Sequence, residues 1–498
     1  MWRKMALTLI LSFTISTLLS YFIVIPDTPV GAEIVGYWRT VTGNKGGIND
    51  LTSIFKQSVS LGLFLAVIGL TILSMEYRYY AAFLGISLIT ILGIVPPQDM
   101  IAGVEWSLIL FLIGSMTLAF ILRSLGVFEY LAIRILEFSN GSVSKLFFII
   151  LFFAWFLAMI VDEATSIVYV ILLVFEIKRM TRQDVSIMAV AAVLATNTGS
   201  MALPVGNPIG IYLSFTAQLS VKDFLFKSLP LSFILLIVVY TTIYLLSKNY
   251  LKTLASELSE ERVRKRIEAY YSNIRREDLG RVKMGTMLIL VFLVTVSTVD
   301  FTAEILTRFS GTHIQAHSLL SFIPYTLILV AGLIYSPEKL EYAITRGVEW
   351  PSILFFITLF MLGFSLLYTG IASKLAYVFI ETGMSPGGED PGMLAELMLV
   401  FSAVLSSVLD NLSVIVAATP MVETIVALFS AKKIYWSLLY GSVLGGNFTP
   451  IGSTANIVAV GMLEKEKVRT TWGSWLRVAI IPTIIQVLIA LGWSVLMV

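Results

Sequence analysis

The chain has 498 residues, 57% of them hydrophobic and 13% charged, and 34 Lys/Arg against 32 Asp/Glu give a formal net charge of +2. Soluble domains carry about 25% charged residues, so the composition indicates a polytopic membrane protein, and so small a net charge gives no reason to expect a nucleic-acid partner. Cysteine is absent and His313 and His317 are the only histidines, which excludes disulfides, thiol catalysis, Cys-ligated metals and an H-E-x-x-H zinc site.

From the N-terminus, apolar runs near 5–25, 57–75 and 79–95 each approach the ~20 residues a helix needs to cross ~30 Å of hydrocarbon. The first run is too long for a typical signal-peptide core and no A-x-A cleavage site follows it, so a retained helix is expected, with residues up to 56 forming an outer loop. Met1-Trp2-Arg3-Lys4 opens the chain, and the polar stretch 248–283 carries ten Lys/Arg against six Asp/Glu. The positive-inside rule places both in the cytoplasm. Further runs open at Trp106 and Trp350, and others follow at 229–247, 286–306, 319–335 and 478–498.

The stretch 248–285 divides the membrane region into two halves, 57–247 and 286–498, that share three landmarks in one order. Gly103-Val104-Glu105-Trp106 and Gly347-Val348-Glu349-Trp350 each open an apolar run. About sixty residues on come carboxylates in apolar surroundings, Asp162-Glu163 in the first half and Asp410 in the second. About forty residues further come L-P-V-G-N at 203–207 and T-P-I-G-S at 449–453. Counting crossings makes the two halves inverted, an arrangement common in secondary transporters. The expected fold is all-α, with about eleven transmembrane helices in two inverted repeats. Each repeat has a re-entrant hairpin (about 145–177 and 394–430) and a broken helix (about 184–215 and 437–463).

Non-helical backbone at membrane depth is tolerated only where protein covers it or it lines a wet cavity. Glycine and proline explain the unwinding in L-A-T-N-T-G-S-M-A-L-P-V-G-N-P (194–208) and G-G-N-F-T-P-I-G-S-T-A-N (445–456). The amides and hydroxyls explain what it coordinates: Thr196, Asn197, Thr198, Gly199 and Asn207 in the first break, Asn447, Thr449, Ser453, Thr454 and Asn456 in the second. Each carboxylate at bilayer depth costs about 2.5–3.5 kcal/mol, so Asp162, Glu163 and Asp410 are expected to bind a cation or carry a proton, and Asp162-Glu163 can also cap a half-helix. Asp162, Asn197, Asp410 and Asn447 form the candidate sodium site. Two loop histidines without a third ligand are expected to bind no metal. Trp106, Trp350, Trp472 and Trp475 are expected at the membrane interfaces.

The stretches 194–208 and 445–456, with S-V-L-D-N-L-S at 407–413, resemble the ion transporter superfamily, in its branch of citrate-transporter-like permeases, arsenite permeases and sodium–proton antiporters. The resemblance covers residues 57–498 and implies a homodimer in the plasma (inner) membrane with an elevator-like movement of the hairpin-bearing domain. In sodium–dicarboxylate members a Ser-Asn-Thr triplet at each hairpin tip binds sodium and substrate. Here the tips read Asp162-Glu163-Ala164-Thr165 and Asp410-Asn411-Leu412-Ser413, and a carboxylate there repels a dianion. The resemblance therefore implies no enzyme, no catalytic residue and no cofactor, but a transporter coupled to sodium or protons. Sodium/proton antiport leads, ahead of a permease for a small anion such as arsenite, citrate or a dicarboxylate.

Overall fold

The protein is an all-α polytopic membrane protein, seen here in a computed structural model that describes every residue except 1, 74–77, 140–141, 162, 258–259, 274–275, 333–336, 384–390, 469 and 497–498. No strand occurs among the described residues. Nine of the described helices are long and apolar enough to span a bilayer. Two of the nine, Val143–Ile160 and Asn411–Phe429, are arms of the expected hairpins. The expected count of eleven differs because four of its members are short or divided. Arg78–Ile91 has 14 residues and extends about 21 Å, Ala316–Gly332 has 17, and the other two are the interrupted helices.

The element order repeats across the chain. Trp106–Ser124 is followed by Gly126, Val127–Ser139, the pair Val143–Ile160 and Glu163–Thr181, and then Ser186–Ser200 and Pro208–Thr216. Trp350–Thr369 is followed by Gly370, Ile371–Gly383, the pair Pro391–Ser406 and Asn411–Phe429, and then Lys433–Gly445 and Thr454–Lys465. The backbone repeats with it. Gly126 and Gly370 both turn the chain with positive φ (73° and 85°), a conformation glycine adopts without a Cβ penalty. Arg182 and Ser430, at matching places after the hairpins, are both left-handed, as are Gln218 and Lys467 beyond the second pieces of the broken helices. This recurrence supports an internal repeat.

The helices group into two compact units, and each draws elements from both sides of the 248–285 stretch. The first comprises Met1–Ile109, Trp350–Ser442 and Ser494–Val498. In it Trp2–Phe22 lies along Leu51–Leu73, with Gly62 against Phe13 and Gly69 against Thr8, so small residues let the two helices approach. The expected outer loop contains a helix, Pro29–Thr42, capped by Thr28 and closed by Gly43 in the left-handed region. Its Trp38 is buried and donates through Nε1 to the Tyr368 carbonyl at 3.2 Å. The second hairpin, Pro391–Ser406 with Asn411–Phe429, belongs to this unit.

The second unit comprises Leu110–Glu349 and Val443–Trp493. It holds the first hairpin, the first broken helix and, from Val443 onward, the second break with the helix that follows it. Ser186–Ser200 packs closely on Val143–Ile160, and a Cβ on Gly199 would lie 2.1 Å from the Trp155 carbonyl oxygen, so only glycine allows that approach.

Candidate functional site

Both interruptions have the same local construction. The first helix ends at Ser200, a short 3-10 turn Pro204–Gly206 follows, and a new helix starts at Pro208 with Asn207 as its N-cap. The second runs from Gly445 to a helix that starts at Thr454 with Ser453 as its N-cap. Asn207 accepts from the Gly210 N–H at 2.6 Å through Oδ1, and Ser453 accepts from the Asn456 N–H at 3.3 Å through Oγ. Each satisfies one of the free donors of a first helical turn. A Cβ on Gly206 would meet the Ser200 carbonyl oxygen at 2.5 Å, and one on Gly452 would meet that of Gly446 at 2.5 Å. The chain doubles back this tightly only where both positions are glycine.

Within the second unit the two interruptions share one hydrogen-bonded network. Asn197 donates through Nδ2 to Asn447 Oδ1 and to Asn456 Oδ1, each at 2.9 Å, and its Oδ1 accepts from Ser453 Oγ at 3.0 Å. Ser453 Oγ also lies 2.6 Å from Asn456 Oδ1. Asn456 Nδ2 donates to the Gly446 and Thr449 carbonyls at 2.7 Å each, which secures two acceptors freed by the unwinding. Asn197, Asn447, Ser453 and Asn456 are all fully buried, and a buried polar network is tolerable only because its members bond one another. Thr198 donates to the Leu194 carbonyl, while Thr196 Oγ1 is buried with no hydrogen-bond partner.

The first hairpin meets this network at its tip. Glu163 is the first residue of Glu163–Thr181 and is buried, and Ser200 Oγ donates to its Oε2 at 3.2 Å. Asn207 Nδ2 donates in turn to Ser200 Oγ at 2.9 Å. Asp162 lies outside the described residues, and Thr165 is half-buried. In the first unit Asp410 caps Asn411–Phe429, accepting from the Ser413 N–H at 3.0 Å and from the Ser413 hydroxyl. Asn411 Oδ1 accepts from Ser406 Oγ at 2.8 Å. The cap expected of Asp162-Glu163 in the first hairpin is thus found at Asp410 in the second. Thr449 and Thr454 are half-buried, and the carbonyl of Thr449 bonds within the network.

Two residues of the network escaped the sequence reading. Gln486, fully buried in Trp472–Leu496, accepts from Asn447 Nδ2 at 3.1 Å and donates to Thr198 Oγ1 at 2.8 Å. Its one sequence signal is that it stands as a lone amide in I-P-T-I-I-Q-V-L-I-A. Trp475, expected at an interface with Trp106, Trp350 and Trp472, is instead fully buried and donates through Nε1 to the Asn447 carbonyl at 3.2 Å. The other three are exposed, at 45%, 40% and 51%. An indole N–H inside protein takes a partner, and the broken helix supplies a free carbonyl for it.

Chemically the network is oxygen-rich and neutral, with one buried carboxylate at its edge. The partners of Asn197, Asn447, Ser453, Asn456 and Gln486 are amides, an indole N–H, hydroxyls and main-chain groups. Hard monovalent cations favour such oxygen donors. Of the candidate sodium ligands, Asn197 and Asn447 are in direct contact. Among the described residues no group of three or more His, Asp or Glu is arranged to hold a metal ion.

Comparison with known proteins accords with this architecture. The family model described as citrate transporter matches residues 70–441. An uncharacterized transporter of Mycobacterium tuberculosis is 26% identical over 440 residues, 87% of this chain and 96% of its own length. An uncharacterized transporter of Synechocystis is 22% identical over 464 residues, 86% of this chain and 95% of its own. The human P protein is 22% identical over 482 residues, 82% of this chain and 56% of its own. With most of its length matched by that model, the chain belongs to the citrate transporter family, a family of secondary transporters.

Proposed function

We propose that the protein exchanges sodium for protons across the membrane. The observation that carries this reading is the neutral knot of Asn197, Asn447, Ser453 and Asn456 beside the buried carboxylate of Glu163. In this reading the amide and hydroxyl oxygens take sodium once their mutual hydrogen bonds open. Glu163, with Asp162 and Asp410 at the hairpin tips, carries the proton that sodium displaces. Ser200 donates to Glu163 at 3.2 Å, which puts the carboxylate beside the first interruption. The inverted repeats, the homodimer, the elevator-like movement and the cytoplasmic N-terminus belong to the same proposal.

The test is flux in reconstituted vesicles loaded with a pH-sensitive dye. An imposed sodium gradient should move protons in the wild type, and Glu163→Gln or Asp410→Asn should abolish the signal while the protein still inserts. A second reading, coupled uptake of a small anion such as citrate, is favoured by the family description and by the Nδ2 donors of the amides. Labelled citrate accumulating in vesicles in which sodium moves no protons would replace the first reading with the second.

A further inference from the structure

A cavity of about 570 Å³ lies at the far end of the first broken helix, inside the second unit. Ser214, Gln218, Asp300, Glu304, Arg308 and His313 are among the residues lining it. His313 is one of the two loop histidines, and the side chain of the other, His317, lies outside the described residues. Two features distinguish the cavity from a gap between loops. Asp300, Glu304 and Arg308 follow one another at i, i+4 on Val299–Ser310, so they form a single stripe along that helix. Ser214 is 2% exposed and lines the space, yet its Oγ has no hydrogen-bond partner. A buried hydroxyl without a partner is a cost that a ligand's polar atom removes.

The lining is dipolar. Asp300 and Glu304 supply negative charge at one end of the stripe, Arg308 and His313 supply donors at the other, and the ends are about 6–12 Å apart at 1.5 Å rise per residue. Arg308 is paired with Glu304, but their side chains are 76% and 58% exposed, and an exposed pair contributes little and exchanges partners readily. Two carboxylates against one guanidinium disfavour a dianion, and Arg308 disfavours a simple cation. We propose that this cavity binds an extended zwitterionic organic solute, its ammonium at Asp300 and Glu304 and its carboxylate at Arg308.

The absence of cysteine from the chain makes the test direct. Ser214→Cys is introduced into the full-length protein in vesicles, and its reaction rate with N-ethylmaleimide is followed with no ion gradient present, so the outcome is independent of sodium–proton exchange. The probes are 6-aminohexanoate and two controls of similar length, hexanedioate and 1,6-diaminohexane. 6-Aminohexanoate at about ten times its Kd should slow labelling about tenfold, and the controls should leave the rate unchanged. Asp300→Asn and Arg308→Gln should each remove the protection without altering the unprotected rate. Gln315→Cys, at an exposed lining position, repeats the measurement should Ser214→Cys fail to insert. The proposal is overturned if Ser214→Cys reacts no faster than Leu213→Cys, fully buried next to it. It is equally overturned if 6-aminohexanoate gives no protection, if all three probes protect alike, or if protection survives both charge substitutions.

Discussion

Asn197 Nδ2 lies 2.9 Å from Asn447 Oδ1, joining the helix before the first interruption to the turn that forms the second, 250 residues apart in sequence. Replacing either by alanine strands buried partners, at a cost of about 1–3 kcal/mol for each orphaned group. Asn197→Ala and Asn447→Ala should each lower the unfolding temperature of the detergent-solubilised protein. The double variant should lose less than the sum, because the contact is counted once in each single change. Strict additivity would mean that the two amides do not interact.

Gly199, Gly206 and Gly452 test how the chain is folded at the interruptions. Alanine at any of them places a Cβ within 2.1–2.5 Å of a main-chain oxygen, and backbone cannot give way as a flexible side chain can. Each substitution should reduce both folded yield and flux. Gly461 is the control: it lies in Thr454–Lys465 with nothing within 4 Å. Gly461→Ala should leave flux intact and add up to about 1 kcal/mol of stability through helix propensity, measurable by thermal unfolding.

Gln486 bridges Asn447 and Thr198 with full hydrogen bonding. Gln486→Leu keeps the size but leaves the Asn447 Nδ2 donor unpaired towards it, so stability should fall by about 1–3 kcal/mol. Gln486→Glu restores an acceptor for Asn447 but removes the donor to Thr198. It also buries an ionisable carboxyl in a neutral network, at about 2.5–3.5 kcal/mol at bilayer depth, so its unfolding temperature should lie at or below that of the leucine variant.

Lys374 lies in Ile371–Gly383, a 13-residue helix outside the candidate spans. Its side chain is fully buried, and Nζ donates to the Ser20 carbonyl at 2.8 Å. Burial disfavours the charged form and lowers its pKa from 10.5 to about 8. Between those two values the unfolded chain binds the proton and the folded chain does not, so stability rises with pH through that window. Below about pH 8 both states are protonated and the contribution is flat. The rise should be at most about 3 kcal/mol, at 1.36 kcal/mol per pKa unit. Thermal unfolding from pH 7 to 10.5 should show it in the wild type and not in Lys374→Met.

The interruptions were legible because proline and glycine stand two residues apart among amides and hydroxyls, at Pro204-Val205-Gly206-Asn207 and Pro450-Ile451-Gly452-Ser453, and their effect on the backbone is local. Thr28, Pro29 and Gly43 carry equally local signals, a cap, a first-turn proline and a left-handed stop, from which the helix in the outer loop follows. Gln486 and Trp475 are different. Each stands in a long apolar helix, where composition reports contact with something apolar but not which neighbour. The free carbonyl at Asn447 that captures the Trp475 indole exists only once the second interruption has formed. The sequence pattern also overstated the helix near 79–95, whose regular part ends at Ile91 ahead of Gly93 in the left-handed region.

A carboxamide is nearly isosteric with its own half-turn about the terminal torsion, which exchanges oxygen for NH2. Asn197, Asn447, Asn456 and Gln486 are four such groups in one buried chain of contacts. Asn456 removes that freedom: its Nδ2 serves the Gly446 and Thr449 carbonyls, and a half-turn would set its oxygen against theirs. The unwound main chain thereby dictates which way each amide in the series faces, a fixed pattern of oxygens and NH2 groups that carries no net charge.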